Sequence, residues 1–292
     1  MIKSMTGYGH FEDTVNGRKI SAEIKSVNHR FTDFNIKLPR QYGFLEDTVR
    51  KATADTVKRG KVDIYISIVD YNENSVTVNA NTALAKEYLS ELNRHSYELG
   101  VENDAKMTFI ASFPDIFKVD KPPCDEDALK SDVMGVFNKA LELYDKMRKE
   151  EGARLGADLL IKGGNILSYV DKIKERAPII VKEYSDRLKE RMEEILKGVP
   201  VDEARLLNEV AVFSDRVCVD EEMVRLKSHI SELEAIINGN IPGGRKLDFL
   251  IQEINREVNT TGSKSNDVKT TKMVVEMKNE IEKMREQIQN IE

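Results

Sequence analysis

Residues 61–68, Lys-Val-Asp-Ile-Tyr-Ile-Ser-Ile, alternate polar and apolar side chains without a break. A period of two marks a β-strand with one face buried. Two other runs repeat it. Ile20, Ala22 and Ile24 alternate with Ser21, Glu23 and Lys25, and Phe34, Ile36 and Leu38 alternate with Asn35 and Lys37 until Pro39 ends the run. Between them, Phe44, Leu45, Val49, Ala52 and Val57 carry the spacing of a helix of about four turns. Val76 and Val78 suggest one more short strand. Beyond Asn81, a natural N-cap, the pattern turns helical. The predicted class is therefore α+β. An amino-terminal β-sheet with a crossing helix precedes a predominantly helical carboxy-terminal region.

The helical part divides at a loop around residues 111–126 that holds Pro114, Pro122 and Pro123. Long helices are expected over 127–161 and 165–197, with Lys162-Gly163-Gly164 as a hinge or as tolerated glycines, and a helical hairpin as the result. Shorter helices are expected at 202–217, 220–238, 245–259 and 267–290. The corresponding divisions are 1–122, an α+β domain, 123–200, the hairpin, and 201–292, a helical domain.

The chain has 292 residues, 40% hydrophobic and 33% charged, enough to build a core. No apolar run is long enough to span a membrane, and the opening MIKSMTGYGH lacks the apolar stretch of a secretion signal. Cys124 and Cys218 stand apart, as reduced thiols of a cytoplasmic protein do. Net charge is −6, which argues against a generic nucleic-acid binder. Yet residues 1–61 hold 12 Lys/Arg against 7 Asp/Glu, so one basic face can still guide a polyanion.

The richest stretch for chemistry is residues 244–267, GRKLDFLIQEINREVNTTGSKSND. At about 100° per residue, Leu247, Leu250, Ile251, Ile254 and Val258 form one buried stripe. A second stripe carries Asp248, Gln252, Asn255 and Asn259, and a third carries Lys246, Glu253, Arg256, Glu257 and Thr260. Amides are poor filler for a solvated helix face and favour specific hydrogen bonds. Glu253 and Glu257, at i and i+4, repel each other and call for a nearby cation. The helix is expected to stop at Thr260-Thr261-Gly262, with Ser263 to Asn266 as a polar loop suited to phosphate. The plain alternative is a solvated charged face.

Other constellations are weaker. Asp220 reads as an N-cap, and Glu222, Arg225 and His229 follow on one helix face, with Glu209 and Asp215 nearby in sequence. Carboxylates with one imidazole suit Mg²⁺ or Mn²⁺; a capped helix with an internal ion pair is the plain alternative. Ser26-Val27-Asn28-His29-Arg30 interrupts a strand with groups that bind phosphate and move protons. Arg59-Gly60-Lys61 reads as a tight turn. His95 sits among charged neighbours and reads as a surface residue. No Walker A, GxSxG, HExxH or GxGxxG sequence occurs.

The long 244–267 string resembles the YicC/YloC family of bacterial endoribonucleases, as do KSMTGYG, SVNHR, RGKVD, VRLKSHI and the closing MREQIQNIE. The matches run in order from Lys3 to Glu292. The resemblance implies a cytoplasmic, metal-dependent endoribonuclease that cuts inside RNA and works as a homo-oligomer, a hexamer. Carried over on the matched motifs, Glu253, Glu257, His229 and Asp248 are the expected catalytic groups. Asn28, Arg30, Lys246, Gln252, Arg256, Asn259 and Lys264 are the expected RNA contacts. Glu222, His229, Glu253 and Glu257 are the expected ligands of Mn²⁺ or Mg²⁺. Cys218 departs from the acidic residue the family pattern leads one to expect there. Two other readings stay open: a non-catalytic RNA-binding or scaffold protein, and metal-free attack by the RNA 2′-hydroxyl driven by His29 or His229. Self-association is also expected from apolar Leu159, Leu160, Ile166, Leu167 and Val170 on the long helices.

Overall fold

A computed structural model of the protein describes residues 2–71, 77–120, 125–198, 200–239 and 244–292. The alternating run at 61–68 lies in β4 (Gly60–Asp70), an inner strand of a four-stranded sheet. Its neighbours are β2 (Arg18–Val27), antiparallel, and β3 (Thr32–Lys37), parallel, while β1 (Gly7–Val15) pairs with β2 on the far side. The order is β1-β2-β4-β3. The sequence reading missed β1, whose inward positions begin with glycines in place of branched residues. Asn16 and Gly17, both at positive φ, close the β1–β2 hairpin. A 3-10 turn (Arg40–Leu45) leads into α1 (Glu46–Thr56), the expected crossing helix.

Two short strands, β5 (Thr77–Ala80) and β6 (Phe117–Asp120), form a separate ribbon around α2 (Thr82–Leu99) and α3 (Met107–Ile110). Asn81 caps α2 as expected, its side-chain oxygen accepting from the Leu84 amide at 3.1 Å. The expected strand position Val76, and Pro122, Pro123 and Cys124, lie outside the described residues.

The expected hairpin is one helix. α4 runs unbroken from Glu126 to Leu196, 71 residues, roughly 105 Å at 1.5 Å per residue. Lys162-Gly163-Gly164 is not a hinge, and the two glycines are tolerated inside one helix, the other expectation. Gly163 is buried against Ile230 and Leu233, at distances where an added Cβ would make ordinary contact. The chain reverses only after Lys197 and Gly198, both at positive φ. α5 (Glu203–Val217), α6 (Asp220–Asn238), α7 (Gly244–Lys264) and α8 (Val268–Ile288) then follow. Asp220 is the first residue of α6, and Val219 holds the cap position, without a side-chain cap.

Two apolar cores result, and α4 serves both. Its first half lays Leu129, Val133, Phe137, Ala140 and Tyr144 over the inner sheet face, where Ile20, Ala22, Ile24, Val62, Ile64 and Ile66 meet them. Farther along, Leu159, Ile166, Val170 and Ile173 pack with α6, α7 and α8. The Leu247, Leu250, Ile251, Ile254 and Val258 stripe of α7 is buried in this second core, as its spacing predicts. Leu159, Ile166 and Val170, expected to drive self-association, are covered within the chain itself. No helix among the described residues is long and apolar enough to cross a membrane.

Candidate RNA interface and ion-pair network

The predicted site residues fall in two places, because α7 is long and only its ends touch other polar elements. Lys246 and Lys264 are 18 residues apart, roughly 27 Å along the helix. One end lies beside the sheet. The other lies beside the start of α6.

At the sheet end, a Cβ on Gly244 would stand 2.6 Å from the Ile291 carbonyl oxygen, so the start of α7 presses on the 291–292 backbone. That backbone is knitted to the first residues of the chain. The Met5 amide donates to the Asn290 carbonyl at 2.8 Å, and the Glu292 amide to the Lys3 carbonyl at 2.9 Å. The Asn28 side-chain amide reaches the Asn290 side chain at 3.2 Å. The Glu292 carboxylate accepts from the amides of Lys58 at 2.6 Å and Arg59 at 3.1 Å. Its other oxygen pairs with Arg148, a fully buried guanidinium that also donates from Nε to the Ser4 carbonyl at 2.6 Å. Tyr144 lies under that guanidinium, and burial pushes its phenol up from its ordinary value. Asn28 thus meets 290–292, against which the start of α7 presses, and Arg30 follows two residues later in the same loop.

This junction is basic. Segments 25–32 and 57–61 hold Lys25, Arg30, Lys58, Arg59 and Lys61 and no Asp or Glu. The sheet register brings them together, with Val27 opposite Lys61 and Thr32 opposite Gly60. The Thr32 hydroxyl donates to the Lys58 carbonyl at 2.7 Å and ties the two loops. Positive charge held on rigid backbone suits a phosphodiester chain.

At the far end, carboxylates and bases are already paired. Lys264 Nζ donates to buried Glu222 at 2.7 Å, and this bond raises the lysine pKa. Arg225 bridges buried Glu257, at 3.3 Å, and Glu221. Lys264 lies in the last turn of α7 and not in a loop. The Thr260, Thr261 and Ser263 hydroxyls donate back to Arg256, Glu257 and Thr260 carbonyls and let the helix continue past the expected stop. Between the ends, Asp248, Gln252, Arg256 and Asn259 face solvent, and Glu253 is half-buried with Arg256 at 3.7 Å. His229 is half-buried on α6.

The expected metal set is therefore not gathered. Among the described residues, no three His, Cys, Asp or Glu side chains are grouped to hold an ion. Glu222 and Glu257 have basic partners instead, although Glu222 Oε2 is buried without a hydrogen-bond partner. The described residues do not gather a divalent-ion site within one chain.

Sequence reasoning missed Arg148 and Glu292. Arg148 looks like one charge among many on a solvated helix, and no local pattern marks it for burial.

Two family models cover the chain. Residues 2–157 match "Endoribonuclease YicC-like, N-terminal region", and residues 173–292 match "Endoribonuclease YicC-like, C-terminal". The stretch between them, 158–172, lies inside α4. A Clostridioides difficile (strain 630) protein named probable endoribonuclease YicC is 40% identical over 293 residues, covering all of both chains. A Haemophilus influenzae protein of the same name is 32% identical over 292 residues, again covering both chains in full. Full-length identity at this level, with both halves matched in order, places the chain in the YicC-like endoribonuclease family.

Proposed function

We propose that the protein is an endoribonuclease that cuts within single-stranded RNA. The observation that carries this reading is the junction where the basic segments 25–32 and 57–61 meet residues 290–292 and the start of α7, with the Glu292 carboxylate held by Arg148 and two backbone amides, in a chain whose full-length relatives are named probable endoribonucleases. Lys246 and Arg30 bind phosphates near the sheet. The solvent-facing Gln252, Arg256 and Asn259 extend the track along α7. Glu253, half-buried beside Arg256, is assigned in this reading to accept a proton from an attacking hydroxyl.

Divalent-ion assistance by Mn²⁺ or Mg²⁺ belongs to the proposal as a property to be measured. One observation favours the metal-free route through the RNA 2′-hydroxyl: Glu222 and Glu257 are already neutralised by Lys264 and Arg225. The test is incubation with end-labelled single-stranded RNA, with and without EDTA, followed by analysis of the product ends. Internal cleavage abolished by EDTA supports the ion. Full activity in EDTA with cyclic phosphate ends assigns the chemistry to the 2′-hydroxyl. Binding without cleavage under either condition refutes the nuclease reading and leaves an RNA-binding scaffold.

A further inference from the structure

The loop between β2 and β3 presents Phe31 to solvent at 66% exposure. A phenyl ring left outside both cores gains nothing from burial, yet this one is held in place. His29 Nδ1 lies 3.0 Å from the Phe31 carbonyl oxygen, and the two rings meet edge to face at 6.4 Å. The Arg30 guanidinium lies over the phenyl ring, 5.4 Å from its centroid. The next residue, Thr32, fastens the loop to Lys58. The segments that flank this loop in the sheet carry Lys25, Lys58, Arg59 and Lys61. Of the acids close by, Glu292 binds Arg148 and two amides, Asp63 accepts from Asn35 and stands opposite Lys25, and Asp33 stands opposite Lys61 in the sheet.

We propose that Phe31, steadied by His29 and Arg30, is a stacking platform for one unpaired nucleobase, with the surrounding lysines and arginines holding the phosphates on either side. The proposal rests on the reading of the protein as an enzyme of single-stranded RNA. A base inside a duplex cannot reach an aromatic face, whereas a single strand offers one at every nucleotide. Such a platform tolerates any base. It selects strandedness and sets the register of the strand against α7. A protein partner is disfavoured, because the exposed ring is set among cations, and interface cores are depleted of charge.

The chain contains no tryptophan, so Phe31→Trp installs a single indole reporter at the platform. The probe is a short 2′-O-methyl oligoadenylate, with an abasic oligomer of equal length as control. Stacking quenches the indole emission with the oligoadenylate, at the concentrations where a labelled copy shows binding by polarisation. The abasic oligomer binds through charge and leaves the emission unchanged. Phe31→Ala weakens oligoadenylate binding about tenfold, leaves the abasic affinity alone and keeps the melting temperature. If wild-type protein binds the oligoadenylate while the indole stays unquenched and Phe31→Ala binds equally well, the platform is refuted and the nuclease reading stands. If wild-type protein binds no RNA, both fall. A change in particle mass by light scattering for Phe31→Ala, with RNA affinity intact, assigns the ring to a contact between copies and overturns the proposal.

Discussion

Single residues divide the polar face of α7 into structural and chemical parts. Glu257 is buried and needs Arg225, whereas Glu253 is half-buried and its nearest cation is loosely placed. Arg225→Ala strands a buried carboxylate and should cost about 1–3 kcal/mol, read as a lower urea midpoint. Glu253→Gln should keep the wild-type midpoint and lower cleavage by a factor on the order of 10². Normal cleavage by Glu253→Gln would move the chemistry elsewhere. Asp267 has a different kind of role. Hydrogen bonds from Arg176, helped by the amide and hydroxyl of Thr270 at the start of α8, push its carboxyl down to about 2. Its folded pKa lies below its unfolded value of about 3.9, so its stabilisation is present above that pH and is lost as pH falls toward 2. Asp267→Asn keeps the cap and deletes the charge. It should melt lower than wild type at neutral pH, and the gap should close progressively below about pH 4. A constant gap across that range would show that charge is not the cause.

Among the elements, α4 holds the molecule together, and its glycines record what touches it. A Cβ at Gly152 would stand 2.4 Å from the Ile2 carbonyl oxygen, a backbone atom that cannot swing aside. Gly164 has nothing within 4 Å of where its Cβ would stand. Gly152→Ala should therefore destabilise on the order of 1–3 kcal/mol through overpacking. Gly164→Ala should stabilise by up to about 1 kcal/mol through helix propensity alone. Equal effects of the two in urea melts would contradict the close approach of residues 2–3 to α4. The neighbouring glycines at 163 and 164 thus have different duties, one facing α6 and one facing water.

Across the whole molecule, the two cores are joined in three ways: by α4, by the strand-like bridge between Ser4 and Ile291, and by the Arg148–Glu292 pair. On the long helix Leu159, Ile166 and Val170 are buried while Ile161 and Ile195 stay exposed, and further apolar surface lies elsewhere. Tyr97 at 90%, Leu99 at 74% and Met107 at 64% exposure lie on the α2–α3 appendage, and no residue of α2 is buried. We propose that this appendage mediates the self-association, a hexamer by family resemblance. Leu99→Glu combined with Met107→Glu should reduce the particle mass in light scattering without lowering helix content. A monomeric wild-type mass at micromolar concentration would refute self-association outright.

What the sequence determined by itself is whatever depends on neighbours a few positions away. The period of two at 61–68, the Leu247–Val258 stripe and the Asn81 cap are local patterns, and each appears where its spacing put it. The α+β order follows from them. The tertiary structure alone decided the rest. Gly163-Gly164 reads as a break until α6 is seen filling the space beside it. Lys264 reads as a free loop lysine until Glu222, 42 positions earlier, is seen to hold it. Arg148 and Glu292 lie 144 positions apart and become a pair only when both cores have formed. A buried charge is stable only with its partner in place, and no short stretch of sequence names a partner that distant.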